Sequence, residues 1–166
     1  SQLVSRNEVT KMFRWSSTEN GYLGKSAEWL VCSRFMEHNF DVYLPLLDKG
    51  VDLAVRRQGS RIIYDVQVKA VRKFSGPIEF EYTFVPSNSL LVVFVFYRDG
   101  NEPTLYLLPS LLWQEKPCSM FKSPTKKGKY LFDFNKGYEE ALQNYLFDQA
   151  ITRDIPHCIR GDLTRR

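Results

Sequence analysis

The sequence predicts an α/β domain, and three stretches carry that prediction. Residues 20–38 repeat Leu23, Ala27, Leu30, Val31 and Phe35 at three- and four-residue steps, which is one face of an amphipathic helix. Residues 61–71 then change to the two-residue period of a strand, with Val66, Val68 and Ala70 on one side and Asp65, Gln67 and Lys69 on the other. Residues 90–97 hold few polar side chains, as a central strand covered on both faces does.

Taken in order, the chain opens with mixed residues in which Val9, Met12 and Phe13 suggest a short helix over 8–15. The helix over 20–38 stops at Asn39, a residue suited to helix ends. Residues 40–46, rich in Val, Tyr and Leu, read as a strand, 47–50 as a turn and 51–56 as a second strand. Gln58-Gly59-Ser60 is a compact hairpin turn leading into 61–71. Strands joined so tightly pair antiparallel. Asp52 lies six residues before this turn and Gln67 seven after it, so the two are expected as cross-strand neighbours.

Residues 72–77 break the pattern. Ile78, Phe80, Tyr82 and Phe84 then alternate with Glu79, Glu81 and Thr83, as a half-exposed strand would. Further strands are expected at 90–97, 104–108 and 130–134, with a helical turn at 109–113 and a lysine-bearing loop over 117–129. A last helix over 138–149 would turn Ala141, Leu142, Tyr145 and Leu146 inward. No repeat or linker divides the chain, so residues 1–166 read as one domain. The motif region is 20–73, strands, basic loop and helix follow over 74–150, and the tail is 151–166.

Composition narrows the function. With 43% apolar and 14% aromatic residues in 166, the chain can bury a core and is not a disordered segment. No apolar run approaches the roughly 20 residues that a membrane helix needs, so no membrane partner is expected. Cys32, Cys118 and Cys158 are odd in number and form no CxxC or CxH pair, which argues against zinc and for a reducing, cytoplasmic compartment. The net charge of +4 permits a polyanionic partner without requiring one. His38 and His157 stand alone and suit structural or exposed positions.

The unusual stretch is Tyr64-Asp65-Val66-Gln67-Val68-Lys69-Ala70, because a strand seldom carries acid, amide and lysine on one face without a partner or a task. Upstream lie Gly50-Val51-Asp52 and, on the first strong helix, Gly24-Lys25-Ser26-Ala27-Glu28. Asp52 and Lys69 would also suit a structural ion pair, and Glu28 a solvated helix position.

The order helix with Glu28, strand, strand with Asp52, tight turn, strand with Gln67-x-Lys69 resembles the PD-(D/E)XK, or restriction-endonuclease-like, nuclease superfamily. Over residues 20–73 it is most similar to the Holliday-junction-resolvase-like and Mrr-like branches. The resemblance implies a restriction-endonuclease-like core, with a central mixed β-sheet flanked by α-helices. It implies a DNA endonuclease using Mg²⁺, with Mn²⁺ as a possible substitute, that hydrolyses phosphodiester bonds in restriction, junction resolution or homing. Asp52 would be the principal metal ligand. Gln67 and the Val68 carbonyl would add oxygens, and Glu28 would bind a water of the metal shell or a second metal. Lys69 would orient the attacking water or stabilise the phosphate. Gln67 stands where the family usually has an acid.

Expected phosphate contacts are Lys25, Arg72 and Lys73 near the motif, and Lys122, Lys126, Lys127 and Lys129 in the basic loop. Phe74, Phe84, Trp113 and Phe121 are possible stacking residues, with core packing as their default. Double-stranded or branched DNA and a second copy of the chain are the expected partners, since cutting two strands commonly takes two small subunits. A non-catalytic nucleic-acid-binding module of the same fold is the alternative, with Gln67 in its favour. An RNA-processing nuclease is the third reading.

Overall fold

A computed structural model describes residues 14–47, 49–73, 76–122, 124–125 and 128–153. The expectations for the helix over 8–15, for Phe74, Lys126, Lys127, His157 and Cys158, and for the tail beyond 153 lie wholly or largely outside these residues. Among them no helix is long and apolar enough to cross a membrane.

The elements run α1 (Asn20–Glu37), β1 (Phe40–Tyr43), β2 (Leu53–Arg57), β3 (Ile63–Val71), β4 (Gly76–Glu79), β5 (Leu90–Phe96), β6 (Thr104–Pro109), α2 (Leu112–Glu115), β7 (Phe121–Lys122), β8 (Leu131–Phe134), α3 (Tyr138–Leu142) and α4 (Phe147–Ala150). A mixed five-stranded sheet has the order β1-β2-β3-β5-β6, with β3 and β5 parallel and the other pairs antiparallel. Helices flank it, and a small sheet of order β4-β8-β7 completes the α/β architecture.

The strand period sorts the core into two clusters. Along β5, Leu91, Val93 and Val95 join Leu23, Ala27, Val31 and Phe35 of α1, while Val92, Phe94 and Phe96 join Trp113, Phe132 and Phe134. Both sides of β5 are apolar because both are covered. On β3 the sides differ. Tyr64 and Val66 are buried in the α1-side cluster and Val68 and Ala70 pack against it, which leaves Gln67 and Lys69 for the other face.

Several boundaries depart from the sequence prediction. Asn39 ends α1 as expected, adopting the left-handed φ of +61° that asparagine tolerates. The run 78–84 is not one strand. β4 ends at Glu79, and Phe84 N–H closes a turn on the Glu81 carbonyl at 3.0 Å. Phe80 and Phe84 are buried with ring centroids 4.2 Å apart, while Tyr82 is exposed. A four-residue spacing across a turn had been read as alternation. The parallel step from β3 to β5 is therefore made by a strand and turns, where a helix is the usual crossover.

The last helix is also broken. Leu146 is extended and bridges Tyr106 on β6, separating α3 from α4. Tyr138 and Leu142 serve one cluster, whereas Phe147, Ala150 and Ile151 serve the other. A single straight helix cannot reach both faces of the sheet, so the chain unwinds as it passes the β6 edge. The expected 117–129 loop also contains β7, short enough to escape any periodicity.

Candidate active site

Asp52 stands one residue before β2. The pairing Leu53↔Val66, extended by one, sets it opposite Gln67, as the length of the hairpin turn predicts. Its N–H donates to the Val66 carbonyl at 3.0 Å, and its carboxylate Oδ2 accepts from the Val68 N–H at 2.6 Å. The side chain thus takes over the pairing that the main chain of β2 has not yet begun. A charge-assisted hydrogen bond of this kind fixes where the carboxylate sits.

Gln67 is 4% exposed, and its amide oxygen Oε1 is buried with no hydrogen-bond partner. An unpaired buried acceptor costs about 1–3 kcal/mol, so it asks for a ligand. Lys69 is partly buried, and its Nζ lies over the Phe80 ring, 5.3 Å from the centroid. Ammonium and ring hold each other in place.

Asp52, Gln67, Val68 and Lys69 line one cavity of about 480 Å³ together with Lys49, Gly50, Glu81, Tyr82 and Thr83. The 81–83 turn closes against Gly50, which has φ +88°. A Cβ at that position would meet Thr83 Oγ1 at 2.3 Å, so glycine is required both for the backbone and for the close approach. Adjoining this cavity at Val68 and Lys69 is a groove of about 500 Å³ lined by Gly24, Arg72, Lys73 and Pro77 among others.

The remaining predicted residues fall elsewhere. Glu28 is not among the described lining residues. It sits on α1, across the sheet from Gln67, with its side chain 22% exposed and paired with Lys25. The helical spacing that put Glu28 near the core boundary could not tell which sheet face the helix would cover. Lys25 is exposed.

Arg72 is a clamp inside the fold. Its Nη1 donates to the carbonyls of Trp15 at 2.8 Å and Thr18 at 2.5 Å, and its Nη2 to the Asn20 side chain. Lys73 and Lys122 are exposed. Lys129 is drawn in from the basic loop, 3.4 Å from Glu79 and 4.0 Å from Glu81, with its Nζ 5.1 Å from the Tyr82 ring centroid. Phe84, Trp113 and Phe121 are buried, in line with their core default.

The sequence reading missed Lys49, Glu81, Tyr82 and Thr83. Glu81 reaches the cavity because Glu79 pairs with Leu131 and Phe80 N–H donates to the Tyr130 carbonyl at 3.0 Å. Contacts about 50 residues apart leave no local signal.

The donor set suits a hard divalent cation. Asp52 and Gln67 offer oxygen donors, and among the described residues no sulfur or imidazole lines the cavity. Among the described residues no three His, Cys, Asp or Glu side chains cluster as ligands. No protein-family model matches the chain, and no curated protein matches it.

Proposed function

We propose that this chain is a Mg²⁺-dependent endonuclease acting on DNA, of restriction-endonuclease-like core. The single observation that carries the reading is the buried, unpartnered Oε1 of Gln67, a residue that lines one cavity with Asp52 and Lys69. A structural ion pair between Asp52 and Lys69 would give no reason to bury a bare amide acceptor next to them. The resemblance of Gly50-Val51-Asp52 and Val66-Gln67-Val68-Lys69 to the PD-(D/E)XK motif supports the same reading.

Asp52, Gln67 Oε1 and the Val68 main chain would hold the cation. When bound, Mg²⁺ neutralises phosphoryl charge and makes a water more acidic. The Asp52 carboxylate, fixed by the Val68 N–H, orients that ligand set without reorganisation. Lys69, steadied over Phe80, presents an ammonium to a phosphate oxygen or to the attacking water. Exposed Lys73, on the adjoining groove, meets the backbone on either side of the cleaved bond. Cutting both strands of a duplex would take a second copy of the chain.

Neutral Gln67 favours one other reading, a nucleic-acid-binding module that does not cleave. The decisive test offers supercoiled plasmid, linear duplex, a four-way junction and single-stranded RNA to the protein with Mg²⁺, Mn²⁺ or EDTA. The expected result is metal-dependent DNA cleavage, lowered by at least about a hundredfold in Lys69→Met, the order of a lost catalytic proton or charge contact. Binding without cleavage in either metal would establish the module instead, and RNA cleavage alone would reassign the substrate.

A further inference from the structure

We propose that Glu81 is a ligand of the same cation, supplying the second carboxylate that Gln67 does not. This rests on the reading of the cavity as a divalent-cation site.

The charge balance of the described lining favours it. Leaving Glu81 aside, the described lining residues set one carboxylate, Asp52, against two ammonium groups, Lys49 and Lys69. Those residues alone carry a net positive charge, whereas Mg²⁺ sites usually draw on one or two carboxylates. Glu81 restores parity. It lines the cavity together with Gln67, whose buried Oε1 has no hydrogen-bond partner.

The turn that carries Glu81 is anchored at both ends. Phe80 and Phe84 are buried, each packed edge to face against Trp113 with ring centroids 4.9 and 5.4 Å apart. Thr83 is seated on Gly50, and the Glu81 carbonyl accepts the Phe84 N–H. The main chain is thereby held, and 66% of the Glu81 side chain is exposed. Lys129 lies closer to Glu79, at 3.4 Å, than to Glu81, at 4.0 Å.

The test measures Mn²⁺ binding to the full chain without nucleic acid, by electron paramagnetic resonance of the free ion. Asp52→Asn, Glu81→Gln, Glu79→Gln and the pair Gln67→Glu with Glu81→Gln are compared. Glu81→Gln is expected to weaken Mn²⁺ at least about tenfold, the scale of a lost ligand charge, with the unfolding temperature kept. Glu79→Gln, which shares Lys129 but does not line the cavity, should leave affinity unchanged. Gln67→Glu should restore it in the Glu81→Gln background.

Unchanged affinity in Glu81→Gln, with Asp52→Asn defective, overturns the role of Glu81 and leaves the site standing. Equal losses in Glu79→Gln and Glu81→Gln also overturn it, since the effect would then pass through Lys129. Affinity unaffected by Asp52→Asn, or absent from the native chain, overturns the cation site itself.

Discussion

Asp52 has two jobs that a substitution can separate. Its Oδ2 satisfies the Val68 N–H at 2.6 Å, a structural bond, and its charge is the one that Gln67 cannot offer. Asparagine keeps an acceptor oxygen and loses the charge; alanine loses both. Asp52→Ala is therefore expected to cost about 1–3 kcal/mol, the penalty for a half-buried N–H left unpaired. Asp52→Asn should cost clearly less. Both should abolish metal-dependent cleavage. Denaturant unfolding beside the cleavage assay checks this, and equal stability of the two variants would show that the 2.6 Å contact is not holding the hairpin. At this scale the sequence was informative. Alternation and the count across Gln58-Gly59-Ser60 suffice to bring Asp52 opposite Gln67. Glu28 was harder, since its helical position is consistent with either face of a sheet, and pairing with Lys25 gives it a local partner.

Between elements, the lesson comes from Arg72 and Lys73. In sequence they are adjacent cations after the motif and invite the same role. In the fold, Arg72 ends β3 by gathering the carbonyls of Trp15 and Thr18 and the side chain of Asn20, which ties the entry of α1 to the sheet. Five donors in a planar fork suit arginine to this and leave it little to give a phosphate. Lys73 is exposed on the groove. Arg72→Ala is expected to lower stability by about 1.5–3 kcal/mol, the range for hydrogen bonds to a charged group, and to raise amide exchange over residues 15–20. Lys73→Gln should leave stability alone and reduce the salt dependence of DNA binding by about one ion in a plot of log affinity against log salt. Stability unchanged in Arg72→Ala would remove the clamp, and a slope unchanged in Lys73→Gln would remove that lysine from the interface. Neither distinction was legible beforehand, because main-chain carbonyls at a turn carry no residue signature. The broken helix over 138–150 failed for a related reason. Its apolar residues obey helical spacing, yet they serve cores on opposite faces of the sheet.

Across the molecule, the aromatic cluster beneath the small sheet reaches the candidate site through Phe80. This ring is fully buried, 4.9 Å from Trp113 and 4.2 Å from Phe84, and Lys69 Nζ lies 5.3 Å from its centroid. The next residue is Glu81, at the cavity wall. Phe80 thus joins the packing of the second core to the placement of the lysine, and core stability and chemistry should be separable by choosing the right ring. Phe80→Leu keeps an apolar side chain but removes the π-face under the ammonium and loosens the anchor of the 81–84 turn. Trp113→Phe keeps the aromatic contacts but leaves the Leu131 carbonyl without its 2.9 Å donor. Each is expected to cost about 1–3 kcal/mol, by lost packing in the first and by lost ring volume and one lost hydrogen bond in the second. Measured well below both unfolding temperatures, cleavage by Phe80→Leu should fall by an order of magnitude or more, while Trp113→Phe at similar stability stays within a few-fold of the native rate. Mn²⁺ affinity should be nearly native in Trp113→Phe and weakened in Phe80→Leu only as far as the 81–84 turn is displaced. Equal activity in the two variants would mean that Lys69 is positioned by the sheet alone, and that the aromatic core contributes stability and nothing to the site.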